Sequence, residues 1–73
     1  MSWFTGTFLP SLEERYNARG GKLWLTKKQA DVCRRYMDYG TVRGAMQHRE
    51  GSKLYCIQLA PNGCAHFFIL TGG

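Results

Sequence analysis

Two alternating runs on either side of a turn signal constrain the fold of this chain most strongly. Residues 53–59 and 65–70 alternate in character, and Pro61-Asn62-Gly63 between them is typical of a hairpin loop. We expect Ala60 to pair with Cys64 across a three-residue loop. A one-residue slip would exchange the two faces of both strands, so the alternation itself selects this register.

The register gives the hairpin two faces of different composition. The apolar face is formed by Tyr55, Ile57, Leu59, Ala65, Phe67 and Ile69. The other face is formed by Leu54, Cys56, Gln58, Cys64, His66, Phe68 and Leu70. On this second face Gln58 is predicted to lie opposite His66, and Cys56 opposite Phe68. Residues 41–48 are predicted to add a third strand through the turn at residues 49–52.

A helix start is indicated by residues 25–30. Thr26 is the expected N-cap, and Gln29 can reach back to complete a capping box worth about 1 kcal/mol. The helix is predicted from Lys27 to Tyr39, ended by Gly40. Its core-facing stripe is Ala30, Cys33 and Met37, with Val32 and Tyr36 beside it.

An earlier helix is predicted over about residues 8–18. Thr7 would cap it, Pro10 would fall in its first turn, and Gly20-Gly21 would end it. The chain is therefore expected to be one small α+β domain spanning residues 1–73. Its predicted architecture is two N-terminal helices followed by a three-stranded antiparallel meander, with strands at about residues 41–48, 53–59 and 65–70.

Charge is concentrated in the middle of the chain. Every Lys, Arg, Asp and Glu lies between Glu13 and Lys53, and the net charge is +5. No apolar run approaches the ~20 residues needed to span a bilayer, so no membrane partner is expected. Three cysteines form an odd set that fits a reducing compartment better than a disulfide framework. We expect a cytoplasmic protein.

The basic residues favour a polyanionic partner. A helical face that follows a phosphate backbone, with an aromatic ring to stack on bases, predicts electrostatic binding of DNA or RNA with little sequence specificity. The predicted contacts are Lys22, Trp24, Lys27, Lys28, Arg34 and Arg35, with Arg43, Arg49 and Lys53 adding contacts from the sheet edge. The competing interpretation is a solvated helix face with Trp24 in the core.

A second candidate partner is a protein. The second hairpin face cannot be covered by the same helices as the first, so either the N-terminal segment or another chain should cover it. The residues of this alternative surface are Trp3, Phe4, Phe68 and Leu70. The last strand is also expected to be a sheet edge open to pairing, which includes pairing in a homodimer.

Zinc binding and catalysis are less favoured. Cys56, Cys64 and His66 share a predicted face, but the chain has no Cys-x-x-Cys or His-x-x-x-His pair. No Gly-rich phosphate loop or paired carboxylates are present, and a chain this small has little room for a substrate cleft. We therefore expect no enzymatic activity and no cofactor.

The segment from Phe8 to Arg35 resembles a helix–Gly–Leu-[Ser/Thr]-x-Lys-Gln–helix element found in short proteins of bacteriophages and other mobile elements. The matching residues include Leu12, Tyr16, Gly21 and the Leu25-Thr26-Lys27-Lys28-Gln29 run, about a third of the chain. Its turn is longer at Lys22-Leu23-Trp24. The resemblance implies an origin, a small phage-type protein, more than an activity. If a bacteriophage encodes the chain, we expect it in the host cytoplasm, either as an accessory protein that binds nucleic acid or as an inhibitor that docks on a host or defence protein.

Overall fold

The computed structural model describes residues 2–72, with side chains from residue 7 onward. Its elements in chain order are α1 (Ser2–Ala18), β1 (Leu23–Leu25), α2 (Lys27–Arg34), β2 (Asp38–Tyr39), β3 (Met46–Glu50), β4 (Lys53–Leu59) and β5 (Ala65–Thr71). The strands form one antiparallel sheet in the order β1-β5-β4-β3-β2. No helix in this part of the chain has the length and apolar character required to cross a bilayer.

The predicted three-stranded meander is wrong, because the sheet has five strands. Two short strands were missed. Strand β1 lies between the helices and pairs with β5, and β2 follows α2 and pairs with β3. Neither is long enough to show a strand period of its own. They are strands because β5 and β3 supply their hydrogen-bonding partners.

The helix boundaries also differ from the prediction. Helix α1 begins at Ser2 rather than near Phe8, which places Pro10 inside the helix instead of in its first turn. Helix α2 ends at Arg34 rather than Tyr39. Residues 38–39 are extended because they pair with β3, and this tertiary pairing overrides the local helical pattern.

The capping box and the hairpin register are confirmed. The Gln29 amide N–H donates to the Thr26 hydroxyl at 3.3 Å, and the Thr26 amide N–H donates to the Gln29 side chain at 3.0 Å. The Ala60 amide N–H donates to the Cys64 carbonyl at 2.8 Å. Strand β4 pairs with β5 in the predicted register, with Gln58 opposite His66 and Cys56 opposite Phe68.

Both helices pack on one face of the sheet, where they form the main core. The buried members of this core are Leu9, Leu12, Leu23, Leu25, Ala30, Cys33, Met37, Met46, Tyr55, Ile57, Ala65 and Phe67. The predicted stripe of Ala30, Cys33 and Met37 is confirmed as buried, whereas Tyr36, which was predicted beside it, is 42% exposed. Alternation along the strands sends the intervening side chains to the opposite face. We call that opposite side the open face.

One polar cluster links α1 to the covered face. The Lys53 ammonium donates to the Glu13 carboxylate at 2.7 Å, and the Tyr55 hydroxyl donates to the other oxygen at 3.0 Å. The hydrogen bond from Lys53 lowers the pKa of Glu13, against the opposing effect of burial. Burial, followed by the bond to Glu13, raises the pKa of Tyr55 to about 12.

Candidate functional site

Aromatic side chains cross the open face between β1 and β5. Trp24 lies opposite His66 in the strand pairing, and their ring centroids are 5.4 Å apart. Phe68 follows His66 on the same face of β5, with ring centroids 5.5 Å apart. We call Trp24, His66 and Phe68 the aromatic ladder.

The ladder begins at an exposed ring. Trp24 is 62% exposed, which is unusual for a large side chain with substantial apolar area. His66 and Phe68 are half-buried. Leu70, two residues beyond Phe68 on the same strand face, is 43% exposed. This part of the open face therefore offers ring surface and apolar area to a partner.

A loop covers the other part of the open face. Residues 40–45 leave β2, fold over β4 and return to β3. The loop is closed by hydrogen bonds from the Gly40 amide to the Ala45 carbonyl at 3.0 Å and from the Ala45 amide to the Val42 carbonyl at 2.8 Å. Val42 and Ala45 pack with Leu54, Cys56 and Phe68 in a second apolar cluster.

Gln58 connects the ladder to this loop. It lies opposite His66 in the β4–β5 pairing, and its side-chain amide donates to the Arg43 carbonyl at 3.3 Å. Trp24, His66, Gln58 and the Arg43 backbone thus form a row across three strands and the loop. The row thus runs from two aromatic rings to a side-chain amide and then to a backbone carbonyl of the loop.

The residues predicted to contact nucleic acid do not form one surface. Lys22 is exposed and lies immediately before β1, the strand that carries Trp24. The others belong to α2, which packs on the covered face: Lys27, Lys28, Arg34 and Arg35. A single helical patch that includes Trp24 is therefore wrong. The alternative in which Trp24 lies in the core is also wrong, because its side chain is exposed.

The cations of α2 differ in their surroundings. Arg34 forms an exposed ion pair with Asp31 at 3.6 Å, one turn away. The methylenes of Lys27 lie over the β4–β5 turn, where a side chain at Gly63 would meet them. Lys28 and Arg35 are exposed, and neither forms an ion pair with a described carboxylate. Exposed cations of this kind attract a polyanion at long range and are also free to contact its phosphates.

The predicted protein-binding surface lies only in part within the described residues. Phe68 and Leu70 lie on the open face. The side chains of Trp3 and Phe4 lie outside the described part of the structure. The expectation that the last strand is a sheet edge is wrong, because β5 has β4 on one side and β1 on the other. The sheet edges are β1 and β2, each too short to offer a long row of unpaired backbone groups.

The cysteine and histidine side chains form no metal site in the described chain. No group of three or more His, Cys, Asp or Glu side chains is placed to hold an ion there. Cys56 is fully buried, and its thiol lies 3.7 Å from the Leu54 carbonyl oxygen. Burial raises the pKa of Cys33 to about 12 and also raises that of Cys56. Both therefore remain neutral thiols that fill space in the core.

Sequence reasoning missed the role of His66 in stacking and the position of Arg43. The sequence predicts His66 on the second hairpin face opposite Gln58, but it does not predict the contact with Trp24, because no extended pattern indicates that Trp24 lies in a strand beside β5. The alternation of Leu23, Trp24 and Leu25 was the one available signal, and it is only three residues long.

Comparison with protein families finds no matching family model, and comparisons with curated proteins and with solved structures find no match either. We therefore infer the function from the geometry of the open face.

Proposed function

We propose that this protein binds single-stranded nucleic acid on its open face, with bases stacked on the aromatic ladder. The observation that carries the proposal is the exposed Trp24 ring in series with His66 and Phe68. Proteins that bind single strands commonly use aromatic side chains on a sheet as a stacking surface for successive bases. Every base has a flat face, so such binding tolerates many sequences.

The charge distribution supports a polyanionic partner. Ten Lys and Arg residues outnumber five Asp and Glu residues. Two of the acidic residues, Glu13 and Asp31, are already engaged by cations. Arg49 lies on the open face by alternation, Lys22 is exposed just before β1, and Arg43 lies on the loop that covers part of the open face. These residues are suited to contact phosphates beside stacked bases, while the cations of α2 strengthen the attraction at longer range.

A single strand suits the ladder better than a duplex. Bases in a duplex are stacked on one another, and their flat faces are closed to a protein ring, whereas unpaired bases can lie on it. The eight-residue helix α2 carries an internal ion pair on its exposed side. We therefore place the contact with the bases on the sheet. The cations of α2 add electrostatic attraction at longer range.

The test is binding of fluorescent single-stranded oligonucleotides to matched variants. Trp24→Ala should weaken binding roughly tenfold or more, since a base stacked on an aromatic ring contributes about 1–3 kcal/mol. Trp24→Phe should retain most of the affinity. The control is Lys28→Ala with Arg35→Ala, which removes charge from α2 and leaves the ladder intact. Full affinity in Trp24→Ala, with loss in the α2 control, would place the interface on the helix instead.

Docking of a protein on the open face is the second candidate, favoured by the exposure of Leu70 beside Phe68. Phe68→Asp should abolish such an interaction, while charge reversal at Lys27 and Lys28 should leave it unchanged. Steep loss of binding with added salt distinguishes the nucleic-acid proposal, because phosphate contacts release counterions. The bacteriophage origin of the chain stays a prediction.

A further inference from the structure

A cleft of about 570 Å³ opens beside the loop of residues 40–45. Strand β3 begins at Met46, which pairs with Ile57, so the last two residues of β4 extend beyond it. The cleft occupies this gap between the end of α2 and the loop. Its lining includes Arg34, Tyr39, Arg43, Met46, Gln58 and Leu59. No carboxylate is among the residues that line it.

Two arginines from different elements meet at this cleft. Arg34 comes from the last turn of α2 and Arg43 from the loop. Arg43 forms no ion pair with any carboxylate in residues 2–72. Arg34 lies 3.6 Å from Asp31, but both side chains are more than half exposed, so an incoming anion can compete for the guanidinium. Guanidinium groups bind phosphate oxygens in a two-pronged geometry.

The backbone of Arg43 is strained. Its φ of 54° is the one positive value at a non-glycine residue in the described chain. Such strain persists where the surroundings impose it, and it is concentrated at binding sites. Here the Arg43 carbonyl is held by the Gln58 side chain at 3.3 Å. The loop therefore keeps an arginine at a position where glycine would be conformationally easier.

An aromatic ring accompanies the two cations. Tyr39 is 79% exposed and lines the cleft. It lies beside the loop, since a Cβ added to Gly44 would be 3.4 Å from its hydroxyl oxygen. An exposed ring next to two guanidinium groups matches the two parts of a nucleotide, a planar base and a phosphate.

We propose that this cleft binds a nucleotide carrying a phosphomonoester, with Arg34 and Arg43 contacting the phosphate and Tyr39 stacking on the base. A phosphomonoester carries about −1.5 to −2 charges near neutral pH, which two arginines match better than the single charge of an internal phosphodiester. The nucleotide has two sources: the phosphorylated end of a strand or a free nucleoside monophosphate. The strand-end source rests on the proposed function, because the row from Trp24 through Gln58 leads to Arg43.

The test compares four probes of the same base composition: a single strand with a 5′-phosphate, one with a 3′-phosphate, one with hydroxyl ends, and a nucleoside monophosphate. The full-length protein should bind one phosphorylated strand about tenfold more tightly than the hydroxyl strand, the effect of one charge-assisted contact, or bind the free nucleotide. Arg34→Gln and Arg43→Gly should each remove that gain. Arg35→Gln, one residue along α2 and outside the cleft lining, should retain it.

Arg43→Gly separates binding from folding. Glycine adopts a positive φ without strain, so this variant should unfold at an equal or higher temperature than the parent. It should nevertheless lose the tighter binding of the phosphorylated strand, or the binding of the free nucleotide. A gain that persists in Arg34→Gln and Arg43→Gly would overturn the proposal. So would equal binding of all three strands without binding of the free nucleotide.

The outcomes distinguish this proposal from the proposed function. Free nucleotide bound through Arg34 and Arg43, with no strand bound at all, would support the cleft and contradict the ladder. Strands bound through Trp24 with no dependence on an end phosphate, and no binding of free nucleotide, would support the ladder and overturn the cleft.

Discussion

The two faces of the sheet are built from the same strands but differ in how deeply their large side chains are buried. Adjacent residues of β5 show the contrast: Phe67 is fully buried under the helices, whereas Phe68 is half-buried on the open face. In β1, Leu23 and Leu25 are buried, while Trp24 between them is 62% exposed. Large apolar side chains on the covered face hold the fold together. On the open face, Trp24 and Leu70 are exposed and should contribute much less to stability, whereas Leu54 and Cys56 are buried beneath the loop of residues 40–45.

The largest expected difference between the faces is in β5. Phe67→Ala should lower the free energy of unfolding by about 3–5 kcal/mol, because it leaves a cavity among packed side chains. Phe68→Ala should cost about 1 kcal/mol, since part of its ring already contacts water. Urea unfolding followed by circular dichroism measures both. Equal losses in the two variants would contradict the proposed division of the sheet.

A smaller effect is expected at the polar cluster on the covered face. Glu13→Gln should lower the free energy of unfolding by about 1–2 kcal/mol at neutral pH, because Lys53 loses its charged acceptor. The lowered pKa of Glu13 means that the folded state favours the carboxylate. Its contribution is therefore present above the ordinary carboxyl pKa of about 4.3 and is lost as the pH falls through the lower folded value.

Unfolding curves between pH 7 and pH 3 test this linkage. The parent protein should lose stability relative to Glu13→Gln as the solution becomes acidic, so that the two curves converge. The control is Glu14→Gln, at an exposed position next in the chain. A constant difference between the parent and Glu13→Gln over the whole pH range would contradict the assignment.

The smallest effect on stability is expected at Trp24, despite its size. Trp24→Ala removes one cross-strand ring contact at an edge strand, and such contacts contribute about 0.2–1 kcal/mol. Thermal unfolding should change little, whereas nucleic-acid binding should weaken roughly tenfold or more. A loss of stability comparable with that of Phe67→Ala would show that Trp24 is a core residue and not part of a binding surface.

Local signals in the sequence predicted local structure well. The Thr26–Gln29 capping box depends on residues three apart, and the β4–β5 register depends on a short loop and on alternation. Strands β1 and β2 could not be predicted in this way. A three-residue and a two-residue strand exist because β5 and β3 supply their hydrogen-bonding partners, and no local pattern encodes those partners.

The missed strand explains the error in the predicted site. The sequence analysis groups Trp24 with the basic residues as predicted nucleic-acid contacts. Separately, it predicts a second hairpin face that carries His66 and Phe68. Only the β1–β5 pairing joins Trp24 to that face and separates it from the cations of α2. Arg43 could not be singled out either, because its positive φ arises from the closure of the loop over β4.

The most direct test of base stacking on the aromatic ladder is a nuclear magnetic resonance titration with a short single-stranded oligonucleotide. We expect the ring signals of Trp24, His66 and Phe68 to shift on binding, while the backbone amide signals of α2 shift little. Shifts confined to α2, or ladder rings that do not respond to saturating oligonucleotide, would contradict it.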